Sequence, residues 1–419
     1  MKTNLNVKGK QFLINGSPVY SELPNVNPAS LGLLWNQRLI QGVFDDKNDR
    51  SRFNLFKDGI FDPDRNTDNL IAALPAWHSY GLRGFTVGFQ GGWPVGCVDA
   101  DTISNNPFGK DGKSLDQNYA TRMDRIIKAA DGLGMAVIVS ILYWAQANEL
   151  RDGRAVTDAV KTACSFLKDG GYTNVIVEVA NEYNIQPFSS HPIVHSPEGM
   201  AQLLKIARAY SGGMLTGSSG GGAAADKEVI EESDVAIVHG NGATRGGYYN
   251  FLLRVKDWAG EKPVICNEDS PCISRIDVAL ETYTSWGYYN NYNKQIPPAD
   301  FGVMPGEDLF FARRMARAVG IPLAELPAGD QVYLQGLEDW TLFHGRRAVR
   351  VAAEFPERID YVDFFLNGQK IYRSYDEPFF FNQETTWLAV PHIVKPEDET
   401  WKAVIVFRDG NVIEKSHTL

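Results

Sequence analysis

Short apolar runs rich in β-branched residues alternate with longer segments of helical period along most of the chain. Strands that are buried on both faces have continuous apolar runs, whereas amphipathic helices repeat apolar positions every three to four residues. The pattern predicts eight strands, over residues 41–44, 82–89, 135–143, 174–180, 214–217, 235–239, 263–267 and 284–289. It predicts helices between and after them, over residues 66–80, 116–133, 157–168, 197–210, 227–232, 248–259, 276–282 and 306–319.

Eight strands with crossover helices predict an α/β fold, specifically a (β/α)8 barrel of the triosephosphate isomerase (TIM) type. A doubly wound open sheet is the main alternative, but the glycine-rich dinucleotide signature that would follow its first strand is absent from the sequence. A hairpin over residues 12–20 precedes the first predicted strand. We expect it to close the bottom of the barrel.

From about Val332 the pattern changes to a period of two. Residues 361–372 are typical of two strands joined at Asn367-Gly368, a dipeptide that accepts the positive φ of a tight hairpin turn. Further strands are predicted over residues 387–390 and 401–408, with another turn at Asp409-Gly410. The sequence therefore predicts a catalytic barrel over residues 1–331 and a small all-β sandwich over residues 332–419.

Composition and charge narrow the function. The chain has 419 residues, 44% of them hydrophobic and 22% charged, with 41 Lys and Arg against 51 Asp and Glu, for a net charge of -10. Such a surface repels phosphate backbones and anionic headgroups, which argues against nucleic acid or a membrane as partner. The longest apolar run, residues 135–147, is too short to span a bilayer. No apolar segment follows Met1-Lys2-Thr3, so localisation stays open between secreted or periplasmic, if a signal peptide was removed, and cytoplasmic. The oligomeric state is also open.

The sequence has no recognisable metal or cofactor motif. Its four cysteines, Cys97, Cys164, Cys266 and Cys272, are too few for a disulfide scaffold and lack the paired spacing of a zinc site. We expect buried thiols, with a Cys266–Cys272 bridge left open. The glycine-rich run over residues 217–222 lacks the lysine of a phosphate-binding loop, so we expect it to allow close approach of substrate.

Two carboxylates directly follow apolar strands. Glu182 comes after the fourth predicted strand and Glu268 after the seventh, and in a barrel these strand ends face each other across the active-site mouth. One protonated and one ionised carboxyl group suit glycoside hydrolysis, and we expect the separation of about 5–5.5 Å that a retaining double displacement needs. The alternative roles are structural, with Glu182 at a helix start or in a salt bridge and Glu268 paired with Arg38.

These residues resemble a known group. The Asn181-Glu182 pair and Glu268 are similar to the signature of the clan A glycoside hydrolases, retaining (β/α)8 enzymes that include cellulases, β-mannanases and β-galactosidases. The resemblance covers residues 10–330 and implies that Glu182 is the acid/base and Glu268 the nucleophile. It also implies that Asn181 donates to the sugar 2-hydroxyl. A small β-sandwich is common among such enzymes.

Other strand ends supply candidate substrate-binding residues. By the same resemblance His239 positions the nucleophile and Trp286 floors the subsite where the bond is cut, while Asn241 stands where an aromatic residue is frequent. The remaining candidates lie at the ends of the third and second strands and before the first: Tyr143, Trp144, Gln146, Gln90, Trp93, Asn36 and Arg38. Core packing is the alternative for Trp93 and Trp144, and a structural hydrogen bond is the alternative for His239.

The predicted function is thus a retaining glycosidase on a neutral or weakly charged carbohydrate, without a cofactor. One alternative is a non-catalytic carbohydrate-binding protein on a degenerate barrel. Another is a metal-dependent hydrolase, but His191 and His195 lie in a loop rich in proline and serine instead of forming a ligand cluster at strand ends. The sugar, the linkage and endo or exo cleavage are not fixed by the sequence, and we expect the sandwich to brace the barrel.

Overall fold

Eight parallel strands form one curved sheet around the centre of the molecule. The computed structural model describes residues 1–54, 58–94, 98–289, 291–395 and 399–419, leaving aside the side chains of Asn291, Asn293 and Trp340. A three-stranded antiparallel sheet comes first: β1 (Leu5–Lys8), β2 (Gln11–Ile14) and β3 (Ser17–Pro18). The barrel strands are β4 (Asn36–Arg38), β5 (Gly84–Gly88), β6 (Ala136–Leu142), β7 (Val175–Ala180), β8 (Leu215–Gly217), β9 (Ala236–His239), β10 (Val264–Glu268) and β11 (Ser285–Tyr288).

The strand order confirms the predicted barrel. Hydrogen-bonded ladders run β8-β7-β6-β5-β4-β11-β10-β9, all parallel. Between β8 and β9 the backbone N–H groups of Asp234 and Val235 donate to the carbonyl oxygen of Thr216, which joins the two ends of this order. Parallel strands in a barrel direct all their carboxyl ends to one side, where the active sites of this architecture lie.

The first barrel strand is not where the pattern predicted it. Residues 41–44 form a turn, and β4 lies earlier, at Asn36–Arg38. This strand is polar but fully buried, and Asn36 and Gln37 pair with β11 on one side and with β5 on the other. A search for apolar runs misses such a strand, although its polar side chains are as buried as apolar ones.

Helices cover the outside of the barrel and match the predicted ones within a few residues. They are α1 (Pro63–Ser79), α2 (Gln117–Gly132), α3 (Trp144–Ala147), α4 (Gly153–Asp169), α5 (Pro192–His195), α6 (Pro197–Tyr210), α7 (Lys227–Glu232), α8 (Arg245–Ala259), α9 (Arg275–Thr282), α10 (Asn291–Lys294) and α11 (Glu307–Val319). Side-chain caps begin several of them, as at Asp116, which accepts from the backbone N–H of Asn118. No helix among the described residues is long and apolar enough to cross a membrane.

The N-terminal sheet lies at the amino ends of the barrel strands, as expected. Leu5 N–H donates to the carbonyl oxygen of Thr173, just before β7, and the Tyr20 hydroxyl donates to the carbonyl oxygen of Gly81, just before β5. Phe12 and Tyr20 are buried in the main core. This end of the barrel is therefore covered.

Antiparallel sheets follow the barrel and confirm the predicted β-sandwich class. The strands are β12 (Val332–Gln335), β13 (Arg346–Arg347), β14 (Arg350–Ala353), β15 (Ile359–Leu366), β16 (Gln369–Ser374), β17 (His392–Ile393), β18 (Thr400–Phe407) and β19 (Val412–Thr418). A four-stranded sheet has the order β16-β15-β18-β19, and two-stranded sheets pair β12 with β14 and β13 with β17. Asn367 and Gly368 both have positive φ in the predicted hairpin. These strands have a core of their own around Phe364, Trp401 and Ile405. The domain boundary between residues 331 and 332 stays a prediction.

Residues 387–390 are not a strand, which corrects the prediction. The backbone N–H groups of Glu384 and Thr385 both donate to the carbonyl oxygen of Leu388, so the segment folds back on itself as a turn. An isolated bridge between Gln383 and Ala389 closes this turn. The alternating apolar residues of this segment therefore do not indicate a strand.

The described cysteines are free thiols. Cys164, Cys266 and Cys272 are buried and unbridged, while Cys97 lies outside the described residues. Burial raises the pKa of the Cys164 thiol to about 12, so that group stays protonated at neutral pH.

Candidate active site

A cleft of about 380 Å³ opens at the carboxyl ends of the barrel strands. Its volume falls within the range of roughly 300–1,000 Å³ that is typical of small-molecule sites. Most of its lining residues are aromatic or polar. They are Arg38, Trp93, Tyr143, Trp144, Asn181, Glu182, Ile185, Pro187, Gly221, Gly222, Asn241, Glu268, Tyr289, Gln295 and Trp387.

Glu182 and Glu268 meet in this cleft. Each offers a carboxylate oxygen to a group in which these oxygens and a ring nitrogen of His239 all lie within 4.8 Å of one another. The side chain of Glu182 is 18% exposed and that of Glu268 is 9% exposed. Two carboxyl groups this close titrate as a coupled pair, because two ionised carboxylates repel each other strongly in a poorly solvated site.

Local backbone geometry directs both side chains. Glu182 follows β7 with a φ of 55°, in the left-handed region, and its backbone N–H donates to Oγ of Ser219 over 3.2 Å. Glu268 is the last residue of β10, beside His239 of β9, and the register between these strands shifts between Cys266 and Glu268. A bulge of this kind changes the direction of the side chain that follows it.

Both oxygens of Glu268 face fixed donors. Nε of Arg38 lies 3.1 Å from Oε2, and Nδ2 of Asn241 donates to Oε1 over 2.8 Å. The same guanidinium donates through Nη2 to Oδ1 of Asn181 over 2.8 Å. The oxygen of the Asn181 amide is therefore engaged, and its Nδ2 group can donate to a ligand. The predicted alternative for Glu268, a pairing with Arg38, is therefore present, and it is part of the cleft itself.

His239 lies beneath the two carboxylates and has no exposed surface. Its Nδ1 is 3.1 Å from Oε1 of Glu182 and 3.5 Å from Oε2 of Glu268, so one ring nitrogen serves both groups. Its Nε2 is 3.9 Å from Oε1 of Glu178, a buried residue in the middle of β7. Glu178 accepts from Oγ of Ser219 over 2.7 Å and from Nδ2 of Asn267 over 3.1 Å.

The surroundings move these pKa values apart. Burial raises the pKa of Glu268, and the nearby charges of Arg38 and His239 oppose this shift without cancelling it. Burial also acts to raise the pKa of Glu182, but the hydrogen bond and charge of His239, with Arg38, hold it below its usual value. For His239, burial favours the neutral ring, yet Glu268, Glu182 and Glu178 raise its pKa overall. The raised pKa values of Glu268 and His239 favour the protonated forms of these two groups.

Eight of the thirteen predicted site residues line the cleft: Arg38, Trp93, Tyr143, Trp144, Asn181, Glu182, Asn241 and Glu268. Asn241, which replaces the expected aromatic residue, contacts Glu268 itself. The other five lie below the surface. Two of them support their neighbours: Gln90 accepts from the backbone N–H of Tyr143 over 2.7 Å, and Asn36 donates to the carbonyl oxygen of Cys266 over 3.1 Å. Gln146 is also buried, against the carbonyl oxygens of Ala100 and Ile103.

Trp286 does not floor the cleft, which corrects the prediction. Its indole is 0% exposed, packs against Phe311 and donates to Oδ2 of Asp269 over 2.7 Å. Asp269 in turn pairs with Arg275, so both act as buried structural groups. From the same end of β11, Tyr289 reaches the cleft instead.

The glycine-rich run approaches the cleft closely, as expected. Gly221 and Gly222 line it, and a Cβ added at Gly221 would lie 2.5 Å from Cγ2 of Ile185. At Gly220 an added Cβ would lie 2.4 Å from the carbonyl oxygen of Ala224. Side chains at these positions would therefore displace the wall beside Glu182.

Sequence reasoning missed six residues of the site: Glu178, Ile185, Pro187, Tyr289, Gln295 and Trp387. For Glu178 a signal exists, since it is a carboxylate inside an otherwise apolar buried strand, where a charge persists only with partners. Trp387 is distant in sequence from every barrel strand, and its position depends on how the C-terminal sheets pack.

The donors around Glu268 disfavour a metal ion. Among the described residues, Glu182, His239 and Glu268 form a group with the right atom types for a cation. However, Nδ2 of Asn241 donates to one oxygen of Glu268, and the guanidinium of Arg38, 3.1 Å from the other oxygen, repels a cation. Ligand oxygens that face hydrogen-bond donors are poorly placed to coordinate.

Comparisons with known proteins give structural neighbours only. No protein-family model and no curated protein matches the chain. Among solved structures, a β-glucuronidase from Parabacteroides merdae matches with a TM-score of 0.41 and 12% identity over 99% of this chain and 50% of that one. β-Glucuronidase 2 from Bacteroides uniformis matches with 0.44 and 11%, over 98% and 46%. An endo-β-1,4-mannanase from Thermotoga petrophila matches with 0.43 and 12%, over 96% and 99%.

The chain spans about half the length of the two β-glucuronidases. With TM-scores below 0.5, these similarities support no conclusion on activity or substrate. The three solved structures named above are glycoside hydrolases.

Proposed function

We propose that this chain is a retaining glycoside hydrolase, with Glu182 as general acid/base and Glu268 as nucleophile. The observation that carries the proposal is the convergence of two carboxylates, within 4.8 Å at their closest oxygens, in an open cleft at the carboxyl end of the barrel. Retaining glycosidases hold their two carboxyl groups about 5–5.5 Å apart, whereas inverting enzymes need roughly 6.5–9.5 Å to admit a water molecule. The short separation favours the retaining mechanism.

The reaction proceeds in two displacements. Glu268 attacks the anomeric carbon while Glu182 gives its proton to the glycosidic oxygen, and the aglycone leaves as an alcohol. Glu182 then removes a proton from water, which attacks the same carbon and releases the sugar from Glu268. Arg38 and Asn241 hold the Glu268 carboxylate in place throughout, and the Nδ2 group of Asn181 is available to a sugar hydroxyl.

The first displacement needs the proton on Glu182, but the pKa directions of the unliganded pair favour Glu268. A bound sugar excludes water from Glu182, the more exposed of the two, and desolvation raises a carboxyl pKa. Nδ1 of His239 lies 3.1 Å from Oε1 of Glu182. We infer that substrate binding draws a proton from this nitrogen onto Glu182.

The charges of the cleft favour a neutral sugar. Among the described residues that line it, Arg38 is the one cation, and Glu268 and Asn181 already engage its guanidinium. A uronic acid carboxylate would also lie close to two catalytic carboxylates, which would repel it. Tyr143, Trp144 and Trp93 provide aromatic surfaces for the apolar face of a pyranose.

A panel of p-nitrophenyl α- and β-glycosides of neutral hexoses and pentoses, with the glucuronide included, tests the activity. We expect hydrolysis of a neutral glycoside, and proton NMR of the first-formed sugar should show the anomeric configuration of the substrate. An inverted product would contradict the double displacement. Wild-type protein that binds oligosaccharide but releases no p-nitrophenol would instead be the non-catalytic binding protein.

Azide rescue of truncated variants tests the two roles separately. With an activated aryl glycoside, azide should rescue Glu182→Ala to give a glycosyl azide of retained configuration, and Glu268→Gly to give an inverted one. The opposite pattern would make Glu268 the acid/base and Glu182 the nucleophile, which is the assignment that the pKa directions of the unliganded pair favour. Glu198→Gln, on the exposed face of α6, is the matched control.

A further inference from the structure

Three partly exposed tryptophans line the cleft, and one of them comes from the C-terminal sheets. Trp93 follows β5 and Trp144 follows β6, whereas Trp387 lies between β16 and β17. By contrast, Trp35, Trp77, Trp286 and Trp401 have no exposed surface. An indole that remains accessible to solvent inside a cleft presents apolar area that a ligand can cover.

Two anchors attach the turn that carries Trp387 to barrel loops. On one side, Oγ1 of Thr386 accepts from the backbone N–H of Gly242 over 3.0 Å and lies 2.6 Å from Oγ of Ser270. On the other side, the Tyr292 hydroxyl accepts from the backbone N–H of Ala389 over 3.1 Å and is 3.2 Å from its carbonyl oxygen. Residues on both sides of the indole are thus tied to the barrel.

The turn is also stabilised from within. Oγ1 of Thr385 accepts from the backbone N–H groups of Trp387 and Leu388, over 3.3 and 3.0 Å. Thr385 also donates its own N–H to the carbonyl oxygen of Leu388. Such side-chain to backbone bonds define a turn. The backbone that carries the indole therefore has a fixed place beside the cleft, as a preorganised binding surface requires.

The anchors indicate which part of the cleft Trp387 serves. Gly242 comes directly after Asn241, and Ser270 comes two residues after Glu268, so the turn rests on loops beyond the catalytic strand ends. Glu268 is the last residue of β10, and Glu182 lies two residues after β7. Trp387 thus enters the cleft from a segment outside the barrel that rests on the loops after β9 and β10.

On the basis of the proposed function, we infer that Trp387 forms a sugar-binding subsite for a second pyranose ring of the substrate. The apolar face of that ring stacks on the indole, in the same way that sugars pack on other exposed aromatic side chains. The C-terminal domain is then part of the substrate-binding site, in addition to any bracing of the barrel. The enzyme accordingly prefers oligosaccharides or polysaccharides to simple aryl monosaccharides.

Kinetics on substrates of increasing length test this inference. The substrates are the p-nitrophenyl monosaccharide glycoside that the wild type hydrolyses best and the p-nitrophenyl glycosides of the matching di- and trisaccharide. For Trp387→Ala we expect kcat/KM to fall roughly 3- to 10-fold further on the longer glycosides than on the monosaccharide, because a stacking contact of that size is lost. Trp387→Phe, which keeps an aromatic face, should recover most of the difference.

Tyr375→Ala is the matched control, since Tyr375 is an exposed aromatic residue of the same domain that does not line the cleft. It should behave as the wild type. Equal losses for Trp387→Ala on all three substrates, or no loss with an unchanged circular dichroism spectrum, would overturn the subsite.

Binding separates this failure from failure of the proposed function. Calorimetric titration of the trisaccharide into Glu268→Gln, with and without Trp387→Ala, measures the subsite without turnover. If the wild type hydrolyses none of the glycosides, the proposed function fails, and a weaker titration with Trp387→Ala still supports the subsite. Equal affinities would refute it.

Discussion

Nδ2 of Asn241 donates to Oε1 of Glu268 over 2.8 Å, at the ends of two adjacent barrel strands. The bond fixes the rotation of the carboxylate, while Arg38 occupies the second oxygen from the other side. Under the proposed function, a nucleophile held by this hydrogen bond and by the charge of Arg38 reaches the anomeric carbon without a search through rotamers. Asn241 is thus a positioning residue for Glu268.

Asn241→Ala should reduce turnover without unfolding the protein. A hydrogen bond to a charged group contributes about 1.5–3 kcal/mol, so we expect kcat to fall roughly 10- to 100-fold. Steady-state kinetics on the best aryl glycoside measure the effect. Asn148→Ala, at an exposed position outside the cleft lining, serves as control. An unchanged kcat for Asn241→Ala would show that Arg38 alone holds the nucleophile.

Glu182→Gln should affect substrates according to their leaving groups. General acid catalysis contributes roughly 10²–10⁴-fold, and a poor leaving group depends on it most. We therefore expect a large loss of kcat/KM on alkyl glycosides and a small one on 2,4-dinitrophenyl glycosides. The basic limb of the pH profile should disappear, because the proton whose loss causes it is gone. Equal losses on all leaving groups would assign Glu182 a role other than proton donor.

Chelation should leave activity unchanged. Asn241 donates to one oxygen of Glu268 and the positive charge of Arg38 lies beside the other, so the Glu182, His239 and Glu268 group is poorly suited to a cation. Dialysis against EDTA followed by an aryl glycoside assay tests this expectation. Loss of activity that zinc, manganese or magnesium restores would contradict it and support the metal-dependent alternative.

Glu307 should make stability depend on pH. Burial raises its pKa to about 8, against the opposing charge of Arg350. Between its ordinary value and this one, the folded state keeps a proton that the unfolded state has lost, so the free energy of unfolding falls as pH rises. The contribution of one group is at most about 1.4 kcal/mol per pH unit.

Urea unfolding of Glu307→Gln between pH 5 and pH 8 measures this contribution. The substitution should remove part of the decline that the wild type shows, because an amide does not titrate. Glu325→Gln, at an exposed position, should keep the wild-type slope. Parallel slopes for the wild type and Glu307→Gln would show that Glu307 is ionised in the folded protein throughout this range.

The sequence was sufficient to predict the barrel and its two carboxylates, because both depend on local patterns. Seven of the eight strands are apolar runs, and Glu182 and Glu268 directly follow two of them. The first strand escaped prediction because Asn36, Gln37 and Arg38 are polar residues whose partners lie on distant strands. A buried polar strand has no periodic signature.

Whether a given side chain is buried or lines the cleft could not be predicted in the same way. Trp286 and Tyr289 lie three residues apart at one strand end, yet the first is buried against Phe311 and the second lines the cleft. Which of them is accessible depends on the packing of α11 behind the sheet. Trp387 depends on contacts between Thr386 and two barrel loops, which no periodicity of its own segment indicates.

The positive φ of Glu182 is backbone strain that the contacts of its side chain offset. A side chain other than glycine in the left-handed region costs about 1–2 kcal/mol. The hydrogen bond to His239 and the charge of Arg38 favour the ionised carboxylate in the folded protein. Glu182→Gly relieves the strain but loses these contacts, so selection for heat tolerance alone has little to gain at this position.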